Sequence, residues 1–256
     1  MLGDLFAGFW EDIKTIHNNI KTQLFVKVGH VGEYAHLEFS PQDNFIRPAM
    51  VLIVARLYNC RSPRVLSLGA IVQFIFMASC IHKKIPDAAV PNHTVDPRDG
   101  TQFPVLVGDY LYGKFFTNLC NSGLLCYLRP LAEIIGAIHE GGILKINKAA
   151  QLKDDNQLMN EIIRLEVAEL MAGAASLAGD VAGAPQKDQQ LLHEFGLNLG
   201  MLYGLNQANC IDGQALTYYK QAKMVLEKLP SHLEKTMLEQ LLHSLYLNQD
   251  IIRKVV

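Results

Sequence analysis

Apolar residues recur along this chain at spacings of three and four almost from end to end, and no alternating run bounded by turn residues competes with them. The pattern predicts an all-α protein. From Asp4 to about Leu24, residues Leu5, Phe6, Phe9, Ile13, Ile16 and Ile20 share one face, which predicts a first helix broken near Gly29. A second apolar run spans Arg47 to Tyr58 after Pro41. Ser62-Pro63 then sets a capping hydroxyl before a proline whose missing N–H costs nothing in a first turn, so the third helix starts there.

Val65 to Ile81 carries no charge, and Gln73 lies at its middle. The run is short for a membrane span, and a core helix apolar almost all round gives the same pattern. Pro86, Pro91, Pro97 and Gly100 make the stretch between Lys84 and Thr101 a loop. Further helices are expected from near Phe103 to about Asn121 and from Leu128 to Lys145, the latter ending near Gly141-Gly142. Another long one is expected from Asp154 to Gly183, where Ala168, Ala172, Ala175, Gly179 and Ala182 would let a neighbouring backbone approach closely. Pro185 closes it. His193–Asn206, Asp212–Leu229 and a last helix opened by the capping box Ser231-x-x-Glu234 complete the reading. With no linker, repeat or low-complexity segment, the economical description is one domain over residues 1–256.

Composition narrows the function classes. Half of the 256 residues are apolar, enough for one large core. Twenty-three basic residues against 25 acidic ones, a formal charge of -2, provide no field for nucleic acid. The five cysteines, Cys60, Cys80, Cys120, Cys126 and Cys210, have no zinc-like spacing and read as small core residues of a reducing cytoplasm. The start, Met1 to Trp10, has Asp4 in an apolar run and lacks the features of a secretory signal.

Four landmarks in collinear order carry a resemblance. Asn44-Phe45-Ile46-Arg47-Pro48 is similar to a Gly-Lys-x-x-Arg-Pro helix start. Ala78-Ser79-Cys80-Ile81-His82-Lys83-Lys84-Ile85-Pro86-Asp87, followed by Leu106-Val107-Gly108-Asp109-Tyr110-Leu111, resembles small-small-x-Leu-Ile-His-DDxxD followed by Leu-x-Gly-Asp-x-Leu. Glu140-Gly141-Gly142-Ile143-Leu144-Lys145 resembles Glu-Gly-Glu-x-x-Gln, and Phe195 to Tyr203 resembles Tyr-Gly-x-x-Leu-Gly-x-Ala-Phe. These are landmarks of the trans-polyprenyl diphosphate synthases, and the resemblance implies their isoprenoid synthase-type helical bundle, trimmed relative to active members.

Family members ionise an allylic diphosphate between two aspartate-rich motifs that hold magnesium, a hard cation needing several oxygen ligands. In the matching frame this chain has Lys83 and Lys84 in place of the leading aspartates and keeps Asp87. The second motif reads Gln207-Ala208-Asn209-Cys210-Ile211, with Asp212 one residue beyond. Asn44 replaces a lysine, only Arg98 stands where an arginine pair is expected, and Glu166-Val167 replaces a Lys-Thr pair. Each loss removes stabilisation of developing charge on the scale of several kcal/mol. Ala78 and Ser79 match small residues that leave room for long chains, and His82 matches a packing residue.

The resemblance therefore implies a non-catalytic subunit that pairs with an active synthase in isoprenoid, quinone side-chain, biosynthesis. No cofactor is expected on this chain, magnesium belonging to the active partner, and no transmembrane segment is expected. Arg47, Lys83 and Lys84 are the candidate substrate-binding residues. Lysines at a helix end also suit its dipole, and Arg47 also suits a framework role. Asp109 is a buried-charge candidate. The helix bearing it, with Phe103, Val105, Leu106, Tyr110, Leu111, Phe115 and Phe116, is expected at a dimer interface, about half of these facing its own core instead. Two alternatives remain. One is a homodimer binding an isoprenoid diphosphate without metal. The other is a weakly active prenyltransferase using Asp87, Asp96, Asp99 and Asp212.

Overall fold

The computed structural model describes residues 2–27, 29–34, 38–85, 102–152, 155–208 and 213–247. The loop from residue 86, with Asp87, Asp96, Arg98 and Asp99, lies outside the described residues, as do Asn209, Cys210, Ile211 and Asp212.

Helix α1 (Leu2–Gln23) buries Phe9, Ile13, Ile16 and Ile20 as its periodicity requires. It ends before Gly29, and a two-residue hairpin follows, β1 (Phe25–Val26) against β2 (Gly29–His30), with Gly29 at φ 127 where a side chain would be strained. Helix α2 (Pro41–Leu57) starts earlier than its apolar run. Ser40 Oγ accepts from Asp43 N and Asp43 Oδ2 accepts from Ser40 N, a capping box in front of Pro41 at the first helical position. Pro48 inside this helix cannot donate to the carbonyl of Asn44. His17 Nε2 of α1 donates to that oxygen at 2.8 Å, so the orphaned acceptor becomes a tie between two helices. A second tie joins Arg56 to Asp12 at 2.5 Å, with the guanidinium 3.7 Å above the ring of Phe9.

Helix α3 (Pro63–His82) begins where Ser62 Oγ accepts from Arg64 N. Among the described helices it alone is long and apolar enough to cross a membrane, and 72% of that window is buried in the bundle, which marks it as a core helix. Helices α4 (Gln102–Asn121) and α5 (Leu128–Asn147) follow. Gly141-Gly142 does not end α5. A Cβ on Gly141 would stand 2.8 Å from Glu166 Cγ and 2.9 Å from Leu165 Cβ, so the glycine serves a helix crossing rather than a stop.

The long helix expected from Asp154 is α6 (Asn156–Ile163) and α7 (Glu169–Val181) joined by a π-helical turn, Arg164–Ala168, closed by the bond from Glu169 N to Arg164 O. Arg164 spans the turn, bonding Glu161 at 2.7 Å and Glu169 on its other side, and its guanidinium holds the Glu161 carboxyl below the usual range. Helix α8 (Gln186–Gln207) starts at Pro185 and packs on α7 through small residues. Built Cβ atoms on Gly196 and Gly200 fall 2.4 Å from Met171 O and 2.6 Å from Ala168 Cα. Helix α9 (Gly213–Glu227) packs on α8, and α10 (Leu233–Tyr246) packs on α2 and α9. The Ser231-x-x-Glu234 box does not form. His232 is the N-cap residue of α10, without a side-chain cap, because the helix starts one residue later than the Ser231 box requires.

The described helices share one hydrophobic cluster from Phe9 to Leu245. Cys60 and Cys80 are half-buried, but Cys120 and Cys126 are exposed at the end of α4 and the turn after it, against the core role expected of them.

Candidate functional site

The site gathers the C-terminal end of α3, the first turns of α2, the π turn and the end of α8. The π turn widens the α6–α7 helix by one residue and turns Glu166 toward α3, while Gly141 and Gly142 of α5 leave the room for it. Lys83 Nζ lies 3.1 Å from Glu166 Oε2, with the carboxylate side chain 9% exposed and the lysine 36%. Lys83, standing where an aspartate is expected, and Glu166, standing where a lysine is expected, thus meet each other. Glu166 Oε1, also buried, has no hydrogen-bond partner.

Arg47 is 2% exposed, with its Cζ 3.4 Å from the ring centroid of Phe76 and 5.3 Å from that of Tyr203. Its Nη1 donates to the Asp43 carbonyl, as does Gln73 Nε2, while the Asp43 carboxylate accepts from Tyr203 Oη. Arg47 is thus enclosed by aromatic faces and a carbonyl, while its buried Nε has no hydrogen-bond partner. Of Asp43, Arg47 Nη1 takes the backbone oxygen. Burial and the Asp43 charge push the Tyr203 phenol up, against the opposing pull of Arg47. Burial also raises the Cys80 thiol, outweighing Arg47 and Lys83, so it stays protonated and a poor nucleophile. Lys84 is exposed in the turn ending α3, where its N–H bonds Ile81 O.

Of the three candidate residues, Arg47 is enclosed, Lys83 is paired and Lys84 faces outward. Asp43 and Phe76 escaped the sequence reading as site residues. The capping-box spacing Ser40-x-x-Asp43 was the available signal for the first, and nothing in the sequence marked the second.

A second cluster lies beside the first. His82 sits directly over Gly108, where a built Cβ would come within 2.1 Å of ring atoms Cδ2 and Nε2, so this glycine is what lets α3 and α4 approach. His82 Nε2 is 3.3 Å from Asp109, whose side chain is 67% exposed; Asp109 is a rim partner of the histidine and not a buried charge. Tyr112 Oη joins Ser79 Oγ at 3.2 Å to His139 Nε2 at 3.1 Å, linking α3, α4 and α5. Burial, then the neighbouring His82 and Lys83, hold the His139 imidazole below its ordinary pKa. Gly108→Ala is expected to displace His82 and cost about 1–3 kcal/mol of stability, read by urea denaturation. Loss of the His82–Asp109 contact in the NMR spectrum of the histidines would accompany it.

Helix α4 divides as expected. Leu111 and Phe115 are fully buried, and Phe103 and Tyr110 are half-buried, with Tyr110 Oη bonded to Gln23 O. Val105, Leu106 and Phe116 are exposed, as are Ile143 and Ile146 of α5.

Among the described residues no group of three or more His, Cys, Asp and Glu side chains is placed to hold a metal. Glu166 spends one oxygen on the ammonium group of Lys83.

The profile of the polyprenyl synthetase family matches residues 31–207. The chain belongs to this family, and its bundle is of the isoprenoid synthase type. It is 29% identical over 207 residues to a prenyl transferase of Synechocystis sp., covering 78% of this chain and 64% of that protein. It is 24% identical over 202 residues to heptaprenyl diphosphate synthase component 2 of Geobacillus stearothermophilus, covering 78% and 63%. The alignments thus span less than two thirds of these relatives. The fold matches the crystal structure of a decaprenyl diphosphate synthase from Rhodobacter capsulatus, with a TM-score of 0.81 over 97% of this chain and 99% of that one, at 21% identity.

Proposed function

We propose that this chain is a catalytically degenerate polyprenyl synthase, a non-catalytic cytoplasmic subunit that pairs with an active long-chain prenyl diphosphate synthase in isoprenoid biosynthesis. The observation that carries the reading is the Lys83–Glu166 pair. Where the family's chemistry needs carboxylates for magnesium and a cation for diphosphate, this chain neutralises itself. Diphosphate binding at Lys83 must break an ion pair and leave Glu166, almost wholly buried, facing an anion. That opposes the metal-independent binding alternative as well as turnover, and Arg47, closed between two rings, does not compensate.

Pairing is supported by the apolar side chains that α4 and α5 leave exposed and by a relative described as one component of a synthase. The subunit would act structurally, completing a helical interface and holding its partner's helices, with magnesium bound by the partner alone. Prenyl transfer from farnesyl diphosphate and radiolabelled isopentenyl diphosphate with magnesium tests this, using the chain alone and co-expressed with the intact synthase of the same organism. Product is expected only from the co-purified pair. Turnover by this chain alone would overturn the reading, as would an intact synthase that neither binds it nor changes product in its presence.

A further inference from the structure

We propose that His139 is an acid-operated latch: with a neutral ring it holds α5 to α3 and α4, and as an imidazolium it loosens that contact. Helix α5 packs chiefly on α6, the π turn and α7. It is tied to α4 and α3 by a run of side chains, in which Tyr112 Oη meets His139 Nε2 at 3.1 Å and Ser79 Oγ at 3.2 Å. Ser79 spends its one proton on Ile75 O at 2.8 Å, so Tyr112 donates to Ser79 and accepts from His139 Nε2–H. The neutral ring therefore takes its second proton at Nδ1, and the bond to Tyr112 keeps its donor. What protonation changes is charge.

The rings of His82, Tyr112 and His139 form a triangle, with centroids 5.6 Å apart for His82 and Tyr112 and 6.0 Å for each of the other two pairs. From α3, His82 and Lys83 act on His139; from α4 come Tyr112 and, beyond His82, Asp109, which lies 3.3 Å from His82 Nε2. In the π turn Glu166 is taken up by Lys83, and the flanking carboxylates of α6 and α7, Glu161 and Glu169, are held by Arg164. On α5 itself Glu140 is exposed. A proton on His139 thus adds a cation beside Lys83 and the His82 ring, while Asp109 and Glu166 are already engaged. Burial, then His82 and Lys83, hold the ring below the ordinary histidine value of about 6.5. The fold therefore favours the neutral ring. Its contribution to stability is complete above about pH 6.5 and is lost as the pH falls through the lowered value.

Hydrogen exchange of the full chain tests this, comparing the unaltered protein with His139→Gln, which keeps an N–H for Tyr112 and cannot titrate. At about pH 5 the amides of α5 around His139 are expected to exchange at least about fivefold faster in the unaltered chain than in the variant. At about pH 7.5 the two are expected to agree within about twofold. Comparison at a single pH cancels the intrinsic pH dependence of exchange. Equal rates at both pH values would overturn the proposal, and so would the same difference at both, which marks an ordinary packing role. Should the variant fail to fold, NMR titration of the unaltered chain decides. The His139 ring is expected to titrate below a histidine of an unfolded peptide, with the amides of α5 shifting in step. Titration at or above that value, or α5 amides that do not follow the ring, would overturn the latch. It does not depend on a partner subunit, since every measurement uses the chain alone.

Discussion

Gly196→Ala is expected to destabilise the protein by at least ~3 kcal/mol, leaving little folded material. The added Cβ would lie 2.4 Å from Met171 O, 2.8 Å from Ala172 Cα and 2.9 Å from Met171 C, all backbone atoms of α7. A flexible side chain could swing aside; a helix backbone moves only with its neighbours. Helix α7 also continues the π turn that presents Glu166, so any shift that accommodates the methyl group disturbs the site. Net stabilities of domains are about 5–15 kcal/mol, which makes such a loss large. Urea denaturation followed by circular dichroism measures it. A loss below about 1 kcal/mol would mean that α7 and α8 are not packed this closely. Gly113→Ala is the control, because no atom outside its own helix backbone lies within 4 Å of its built Cβ. Only the helix propensity of alanine acts there, so it is expected to hold or raise the midpoint.

Lys83→Glu is expected to cost about 2–4 kcal/mol, and Lys83→Glu combined with Glu166→Lys to recover most of that loss. The single variant sets two carboxylates against each other, one of them 9% exposed. Breaking a fully buried pair costs about 3–5 kcal/mol; Lys83, at 36% exposure, lets water screen part of it. In the double variant the pair is restored with its polarity reversed, and Gly142, whose nearest contact is Glu166 Oε1, leaves space for the longer side chain. A double-mutant cycle on urea midpoints reads the coupling. A coupling below about 0.5 kcal/mol would show that the two residues are solvated independently, removing the observation on which the subunit proposal rests.

The site shows why a compensated pair is hard to read from sequence. Lys83 and Glu166 are each visible as a departure from a family pattern, and each alone reads as a loss. Their separation of 3.1 Å depends on the π turn, a one-residue insertion closed by an i→i−5 bond and packed against Gly141, which left no signal in the local sequence. Arg47 shows the same limit. Its fate was set by Phe76 on α3 and Tyr203 on α8, residues far away in sequence that only the packing of three helices brings to its guanidinium.

The sequence by itself determined the helical class, the collinear family landmarks and the starts of α3 and α4, because periodicity, Ser62-Pro63 and short-range spacing act within one or two turns. Helix ends with weaker local signals were decided by tertiary structure. Helix α5 runs through Gly141-Gly142 because the glycines meet another helix, and Ser231 does not cap α10. Only tertiary structure decided that His82 rides over Gly108, that Asp109 faces solvent, and that two reversed charges neutralise each other. A side chain's environment is built from segments distant along the chain, and local sequence carries no record of which of them will arrive.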